Sequence, residues 1–260
     1  MRSRIERLKA CLNGGRRSDE HPAVPITAGE LAAEAVAAVA AGAEALHVHP
    51  RDRAGAESLA AVEVAAAVGA VRRACRGVPV GVTTGLWIAG GDPGRRLAAV
   101  AAWAGLPATA RPDFASVNVG EPGFAALAEV LQGVGVEVEA GVWSVADARA
   151  LAAAGLPGGA ATPTGRPAWA RVLVEVIGAP AGAAVAVADA ILAELDALGV
   201  AGPRLLHGED AGCWPLVAHA ARRGLPTRIG LEDTLTGPRG EPVTGNADLV
   251  RHALTVRAAG

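Results

Sequence analysis

Eight times along the 260-residue chain, a short apolar run of strand type gives way to a longer Ala- and Leu-rich segment carrying Arg, Glu and Asp at helical spacing. That alternation is the mark of repeated βα units around a parallel sheet. The strands are predicted at 8–13, 45–49, 78–84, 114–119, 136–142, 171–176, 204–207 and 227–232. The clearest helices are predicted at 27–41, 58–76, 183–198 and 246–258. Thr27 and Glu30 stand at capping-box spacing before the first helix, and Pro or Gly punctuates most helix ends. Eight such units in a chain of this length predict a single-domain TIM (β/α)8 barrel over residues 1–260, with a doubly wound open sheet as the runner-up. No linker divides the chain, although the Gly-, Pro- and Thr-rich stretch 155–167 is suited to a loop that covers a site.

Several function classes are disfavoured at once. With 24 basic and 26 acidic residues, the net charge of −2 leaves no electrostatic footprint for nucleic acid or an anionic membrane, so small molecules are the expected partners. The N-terminus lacks a long apolar segment and the Ala-rich runs are broken by charges, which predicts a cytoplasmic protein. Cys11, Cys75 and Cys213 are scattered without a Cys-x-x-Cys pair, against a disulfide framework or a thiolate zinc site. Lys9 is the single lysine and tyrosine is absent. Because Lys9 falls near the start of the first strand and barrel active sites gather at strand C-terminal ends, lysine Schiff-base chemistry is disfavoured. The glycine fingerprints of dinucleotide and P-loop sites are missing.

The polar residues fall where strands end. His47-Val48-His49 puts two imidazoles on one face of the second strand, since alternate residues share a face, and this is a geometry for metal ligation. Thr83 and Thr84 close the third strand, Ser116 and Asn118 the fourth, and His207 the seventh. Glu137 and Glu139 occupy the fifth, while Arg228, Glu232 and Asp233 lie in and just after the eighth. Threonines, Ser116 and Glu137 serve equally well as caps or loop partners. Glu139 and Glu232 are harder to explain that way, because a carboxylate in an apolar strand is costly unless paired or metal-bound.

LKACLNGGR at the first strand, ALHVHPRD at the second, GVTTG at the third, ASVN at the fourth and TRIGLEDT at the eighth together resemble the β-keto acid cleavage enzyme family, whose founding activity is 3-keto-5-aminohexanoate cleavage. The likeness runs in register from Leu8 to about Leu249. It implies a zinc-dependent TIM barrel that condenses a β-keto acid with acetyl-CoA and releases acetoacetate and a new acyl-CoA. By the same resemblance, His47, His49 and Glu232 hold Zn²⁺, which acts as a Lewis acid on the keto group. Asp233 is then the base, oriented by Arg228, and Glu139 helps set its protonation state. Thr83, Thr84, Ser116 and Asn118 match positions that bind the substrate carboxylate, and a homo-oligomer is expected.

The chain departs from the family in two places. Arg16 and Arg17 follow the first strand where some members carry an acidic residue, which predicts a cationic pocket suited to a polar or anionic tail. His207 has no assigned role and serves either a ligand or a loop. A CoA-independent metal-dependent aldolase or hydrolase would share the three ligands, and a non-catalytic ligand-binding barrel or a structural role in a complex would share the fold. Cys213, six residues after His207, is the one candidate for covalent catalysis, which the metal route does not need.

Overall fold

The computed structural model describes residues 4–155 and 169–259. Eight strands alternate with eight α-helices: β1 (Leu8–Cys11), α1 (Ala28–Ala40), β2 (Ala45–Val48), α2 (Ala61–Ala74), β3 (Val80–Thr83), α3 (Pro93–Ala101), β4 (Phe114–Asn118), α4 (Phe124–Gly133), β5 (Glu137–Val142), α5 (Val145–Ala153), β6 (Trp169–Val176), α6 (Ala181–Ala197), β7 (Arg204–Gly208), α7 (Cys213–Arg222), β8 (Thr227–Ile229) and α8 (Asn246–Ala259). The eight strands pair in parallel throughout, and the order β7-β6-β5-β4-β3-β2-β1-β8 is that of a TIM barrel opened at one seam. The seam is narrow. Leu206 N–H donates to Pro226 O at 3.1 Å, and the Thr227 hydroxyl donates to Leu206 O at 2.6 Å. The predicted single-domain TIM barrel is therefore the observed fold, and the stretch predicted as a covering loop, 155–167, lies outside the described residues apart from Gly155.

The predicted elements persist with shifted ends, β1, α2 and β8 shorter than predicted and β6, β7 and α8 slightly longer. Thr27 caps α1 through the expected reciprocal pair, its hydroxyl accepting from Glu30 N and the Glu30 carboxylate from Thr27 N. β8 stops at Ile229, so Glu232 and Asp233 stand on a turn beyond the strand. Gly230 explains the break. A Cβ there would lie 1.8 Å from Cys11 O, so only glycine lets the chain cross β1 this closely.

Strand alternation sorts the side chains into two cores. Leu8, Ala10, Leu46, Val48, Val80, Val82, Val172 and Val174 point outward into the main apolar layer beneath the helices. Ala45, Phe114, Leu173 and Leu205 belong to a smaller interior cluster. Many of the other interior positions are polar. Register sets Ser116 opposite Thr83, Glu139 opposite Ser116, Arg171 opposite Glu139, and His207 opposite Glu175.

Low in the barrel these polar groups neutralise one another. Lys9 Nζ reaches Glu139 Oε2 at 2.5 Å and Arg171 pairs with Glu139 Oε1, while both cations flank the Phe114 ring at 5.6 and 5.0 Å. Burial alone would push the Glu139 carboxyl up, but the two cations hold it well below the usual range. The cost of an unpaired strand carboxylate is thus met by pairing.

Two stability outcomes follow. Gly230→Ala forces backbone apart and should cost at least the ~1–3 kcal/mol of ordinary overpacking, read from the urea midpoint at unchanged slope. Glu139→Ala leaves two buried cations without their carboxylate and should cost roughly 3–5 kcal/mol by the same measurement. A midpoint unmoved by Glu139→Ala would show that the cluster contributes nothing to stability.

Candidate metal centre and active site

The mouth of the barrel is built on two clips that hold backbone. Asn13, just past β1, accepts from His49 N at 2.9 Å and returns its amide to His49 O at 2.9 Å, fixing the end of β2. Asn246, at the start of α8, accepts from Leu231 N at 2.9 Å and donates to Leu12 O at 3.0 Å, fixing the turn that bears Glu232 and Asp233. Gly14 completes the approach. It has φ of +54°, and a Cβ there would lie 2.4 Å from Glu232 Cγ, so the space is already taken by the glutamate.

The three predicted ligands converge. Glu232 Oε2 lies 3.5 Å from His49 Nε2 and 3.9 Å from His47 Nε2, and the imidazoles meet edge to face with centroids 5.2 Å apart. Two ligands bound at ~2.0–2.1 Å on a tetrahedral ion sit about 3.3 Å apart, so this trio is close to ligation distance. Glu232 Oε1 is held by Arg228 at 2.7 Å, while Oε2 is buried without a hydrogen-bond partner. A buried acceptor left open toward two histidines fits a cation. His47, His49 and Glu232 are also the cluster whose ligand atoms lie within 4.8 Å of one another.

Electrostatics follow from burial. His47 is pushed well below its usual value by burial, a favourable state for a neutral ligand. Burial also pushes His49 down, but Glu232 and Glu57 outweigh it and raise the ring to about 9. Burial pushes Glu232 up, yet Arg228 and the histidines bring it well below the carboxylate range.

Beside this trio, Arg228 Nε and Nη2 donate to Asp233 Oδ1 at 3.0 and 2.8 Å, and Asp233 Oδ2 is buried without a hydrogen-bond partner. Burial raises the Asp233 carboxyl above its usual value against the pull of Arg228 and His207. His207 lies between carboxylates, with Nε2 at 2.8 Å from Glu175 Oε2 and Nδ1 at 3.5 Å from Asp233 Oδ1. Glu175 in turn lies 3.7 Å from Arg228 Nη1 and accepts from the Trp143 indole at 3.0 Å.

A cavity of about 340 Å³ opens over the centre, walled in part by His47, His49, Thr83, Ser116, Asn118, Glu175, Arg228 and Glu232. Three predicted site residues do not line it. Thr84 spends its hydroxyl on Ser116 O at 2.6 Å. Asp233 is fully buried next to Arg228 and Glu232, which do line it. Glu139 belongs to the Lys9–Arg171 cluster, and the carboxylate beside Arg228 and His207 is Glu175, which sequence reasoning missed. Glu57 was missed as well, although its Oε1 lies 2.5 Å from His49 Nδ1. Its only sequence signal is an acidic residue eight positions after His49. Among the described residues, the two arginines expected to make the pocket cationic are both paired. Arg16 lines the cavity but is paired with Asp210 at 2.5 Å, and Arg17 bonds Asp19 outside it. Burial pushes the Cys11 and Cys213 thiols well up, away from the thiolate a nucleophile needs.

A sequence profile of the beta-keto acid cleavage enzymes matches residues 7–259. The chain belongs to the beta-keto acid cleavage enzyme family. No curated protein matches the chain. Among solved structures, the barrel of this family member superposes on ObcA in a binary complex with oxaloacetate, at 16% identity and a TM-score of 0.64, covering 92% of this chain and 67% of that one. It also superposes on ObcA in a ternary complex with a C4-CoA adduct and oxalate, at 18% identity and 0.66, covering 92% and 64%. The chain thus spans about two thirds of ObcA. Dihydropteroate synthase from Xanthomonas albilineans matches at 17% identity and 0.55, covering 100% and 93%. These identities speak for the shared fold. Among the described residues no helix is long and apolar enough to cross a membrane.

The centre should hold about one divalent ion per chain, and His47→Ala and Glu232→Gln should both lose it, as read by elemental analysis. Full occupancy in both variants would exclude the site. A histidine must be neutral to ligate, so with His49 raised to about 9 the ion should displace a proton, and affinity should climb about tenfold per pH unit below that value. Calorimetry in buffers of different ionisation heat measures the proton released.

Proposed function

We propose that this family member is a zinc-dependent β-keto acid cleavage enzyme that condenses a β-keto acid with acetyl-CoA and releases acetoacetate and a new acyl-CoA. The observation that carries the reading is the adjacency of two unlike devices. The open His47–His49–Glu232 trio stands against the Arg228–Asp233 pair, and Arg228 Nη2 bonds both carboxylates. Two imidazoles and one carboxylate are a donor set for Zn²⁺ with a position left for substrate. Zinc so held supplies Lewis acidity at the keto oxygen, which lowers the cost of negative charge next to C2.

The remaining work falls to the protein. Asp233 takes the C2 proton on its free Oδ2, directly or through one water, since it does not itself line the cavity. Arg228 holds Oδ1 and so fixes which oxygen is free. Glu175 and His207 support the pair from the far side, a place the sequence resemblance gave to Glu139. Thr83, Ser116 and Asn118 offer hydroxyl and amide groups for the substrate carboxylate. The Asn118 amide N–H already serves Glu121 at 3.0 Å. Thr84 has its hydroxyl committed and supports Ser116.

The C2 carbanion equivalent attacks the acetyl-CoA thioester carbon and displaces the CoA thiolate. The thiolate then attacks the original keto carbon, and the bond from that carbon to C2 breaks. Asp233 returns its proton to C2, so atoms and charge balance and no enzyme nucleophile is required. ObcA holds oxaloacetate in one complex and a C4-CoA adduct in another, which supports keto-acid and CoA ligands for a family member.

Asp233→Asn should keep its metal and lose on the order of 10²-fold or more in turnover. If it exchanged the C2 hydrogen with deuterium at the wild-type rate, Asp233 would not be the base. Carbon connectivity tests the reaction itself. With acetyl-labelled acetyl-CoA and unlabelled keto acid, label should appear at C3 and C4 of acetoacetate by NMR. Acetate formed from the keto acid at the same rate without acetyl-CoA would make the protein a hydrolase.

A further inference from the structure

The loop between β2 and α2 folds back on itself. Ser58 N bonds Pro50 O at 2.9 Å, Asp52 N bonds Ala56 O at 2.8 Å, and Arg51 and Glu57 form an isolated antiparallel bridge. The return places Glu57 beside the end of β2, with its side chain only 14% exposed. Glu57 Oε1 lies 2.5 Å from His49 Nδ1, and Oε2 accepts from the Trp87 indole N–H at 3.0 Å. The Trp87 ring stacks on the His49 ring, centroids 6.5 Å apart at 28°. Gly85 makes room for it, because a Cβ there would lie 2.2 Å from the indole. Carboxylate and indole thus hold the ring at its Nδ1 edge and on one face, and the opposite nitrogen, His49 Nε2, is the one turned toward Glu232 at 3.5 Å. His47 differs, since its Nδ1 is buried without a hydrogen-bond partner.

We infer that Glu57 is a positioning residue for the metal ligand His49, held in place by Trp87, and that it acts by fixing the imidazole as the Nδ1–H tautomer with Nε2 free to ligate. The inference rests on the reading of His47, His49 and Glu232 as a metal site. A ring with an accepting carboxylate on one nitrogen loses the choice of tautomer and most of its rotational freedom, and the accepted hydrogen bond makes the other nitrogen a stronger donor to metal. Because His47 has no such support, the centre's grip on its ion depends more on Glu57 than it would in a site with two oriented histidines. Glu57 touches neither substrate nor metal in this account, so its removal acts through affinity.

The experiment is competition for Zn²⁺ against a chromophoric chelator, with wild type, Glu57→Ala, Glu57→Gln and Trp87→Phe, each first checked for a wild-type circular dichroism spectrum without metal. Glu57→Ala should weaken zinc binding about 10–100-fold. Glu57→Gln keeps an oxygen that accepts from Nδ1–H and should recover at least half of that loss on a logarithmic scale. Trp87→Phe keeps the ring and loses the indole donor, and should fall between wild type and Glu57→Ala. Zinc affinity of Glu57→Ala within twofold of wild type would overturn the inference, as would a Glu57→Gln variant as weak as Glu57→Ala. Should Glu57→Ala not fold, the ¹⁵N spectrum of histidine-labelled, zinc-loaded wild type decides. His49 must show Nδ1–H and a metal-bound Nε2, and metal on Nδ1 would overturn the inference. Failure of wild type to bind zinc at all would instead remove the metal site, an outcome distinct from a wild type that binds zinc and ignores Glu57.

Discussion

Glu232 and Asp233 are neighbours in sequence, Asp233 fully buried and the Glu232 side chain only 13% exposed, a combination that self-repulsion disfavours unless a cation stands with them. Arg228 is that cation. Its Nη2 bonds one oxygen of each carboxylate, and each carboxylate is left with one buried oxygen that nothing satisfies. This single guanidinium thus does two jobs: it makes the pair affordable in the fold and it decides which lone pairs remain for chemistry. The carboxylates are also split in character. Glu232 is driven down and remains an anion, while Asp233 is held above its usual range. Opposite displacement of neighbouring groups suits the proposed division of this pair into a metal ligand and a proton acceptor.

The barrel makes this possible by sorting charge along its axis. Below the centre, Lys9, Glu139 and Arg171 pair in a closed cluster around Phe114. Above it, the cavity wall carries Arg16 and Arg228 against Glu20, Glu175, Glu209 and Glu232. Once His49 gives up its proton, two guanidiniums facing four carboxylates leave an excess of two negative charges, which a divalent cation would offset. The lower layer is complete without a ligand, whereas the upper one is not. That contrast separates the two strand carboxylates that the sequence singled out, Glu139 by pairing and Glu232 by an open oxygen.

Much of this was legible before the structure. The alternation of apolar runs with helical segments depends on local periodicity, so the barrel, its order and the Thr27 cap could be read directly. His47 and His49 share a face by the same period of two, and motif likeness joined them to Glu232 across nearly the whole chain. What escaped was set by distant partners. Nothing in the sequence around Glu139 says that Lys9 and Arg171 will consume both its oxygens, and nothing near Arg16 says that Asp210, 194 residues away, will take its charge. Glu175 was hidden in an apolar run, because only the register of β6 against β7 brings it to His207. Thr84 was predicted to face substrate, yet the period of two that turns Thr83 inward turns Thr84 onto the neighbouring strand's carbonyl.

The two missed glutamates share a logic. Glu57 spans His49 and Trp87, and Glu175 spans His207 and Trp143, so each carboxylate holds a site histidine with one oxygen and a partly exposed indole with the other. A tryptophan at the rim is poorly restrained by packing alone, and a carboxylate inside the barrel is costly without donors. Joined, each solves the other's problem, and the cavity gains two aromatic walls tied to the groups beside the proposed ligand and base. Because the walls are fixed through the same carboxylates as the chemistry, a substrate tail that displaced either indole would disturb His49 or His207. The shape of the mouth and the reactivity of the centre are therefore coupled through two side chains that no local sequence pattern announces.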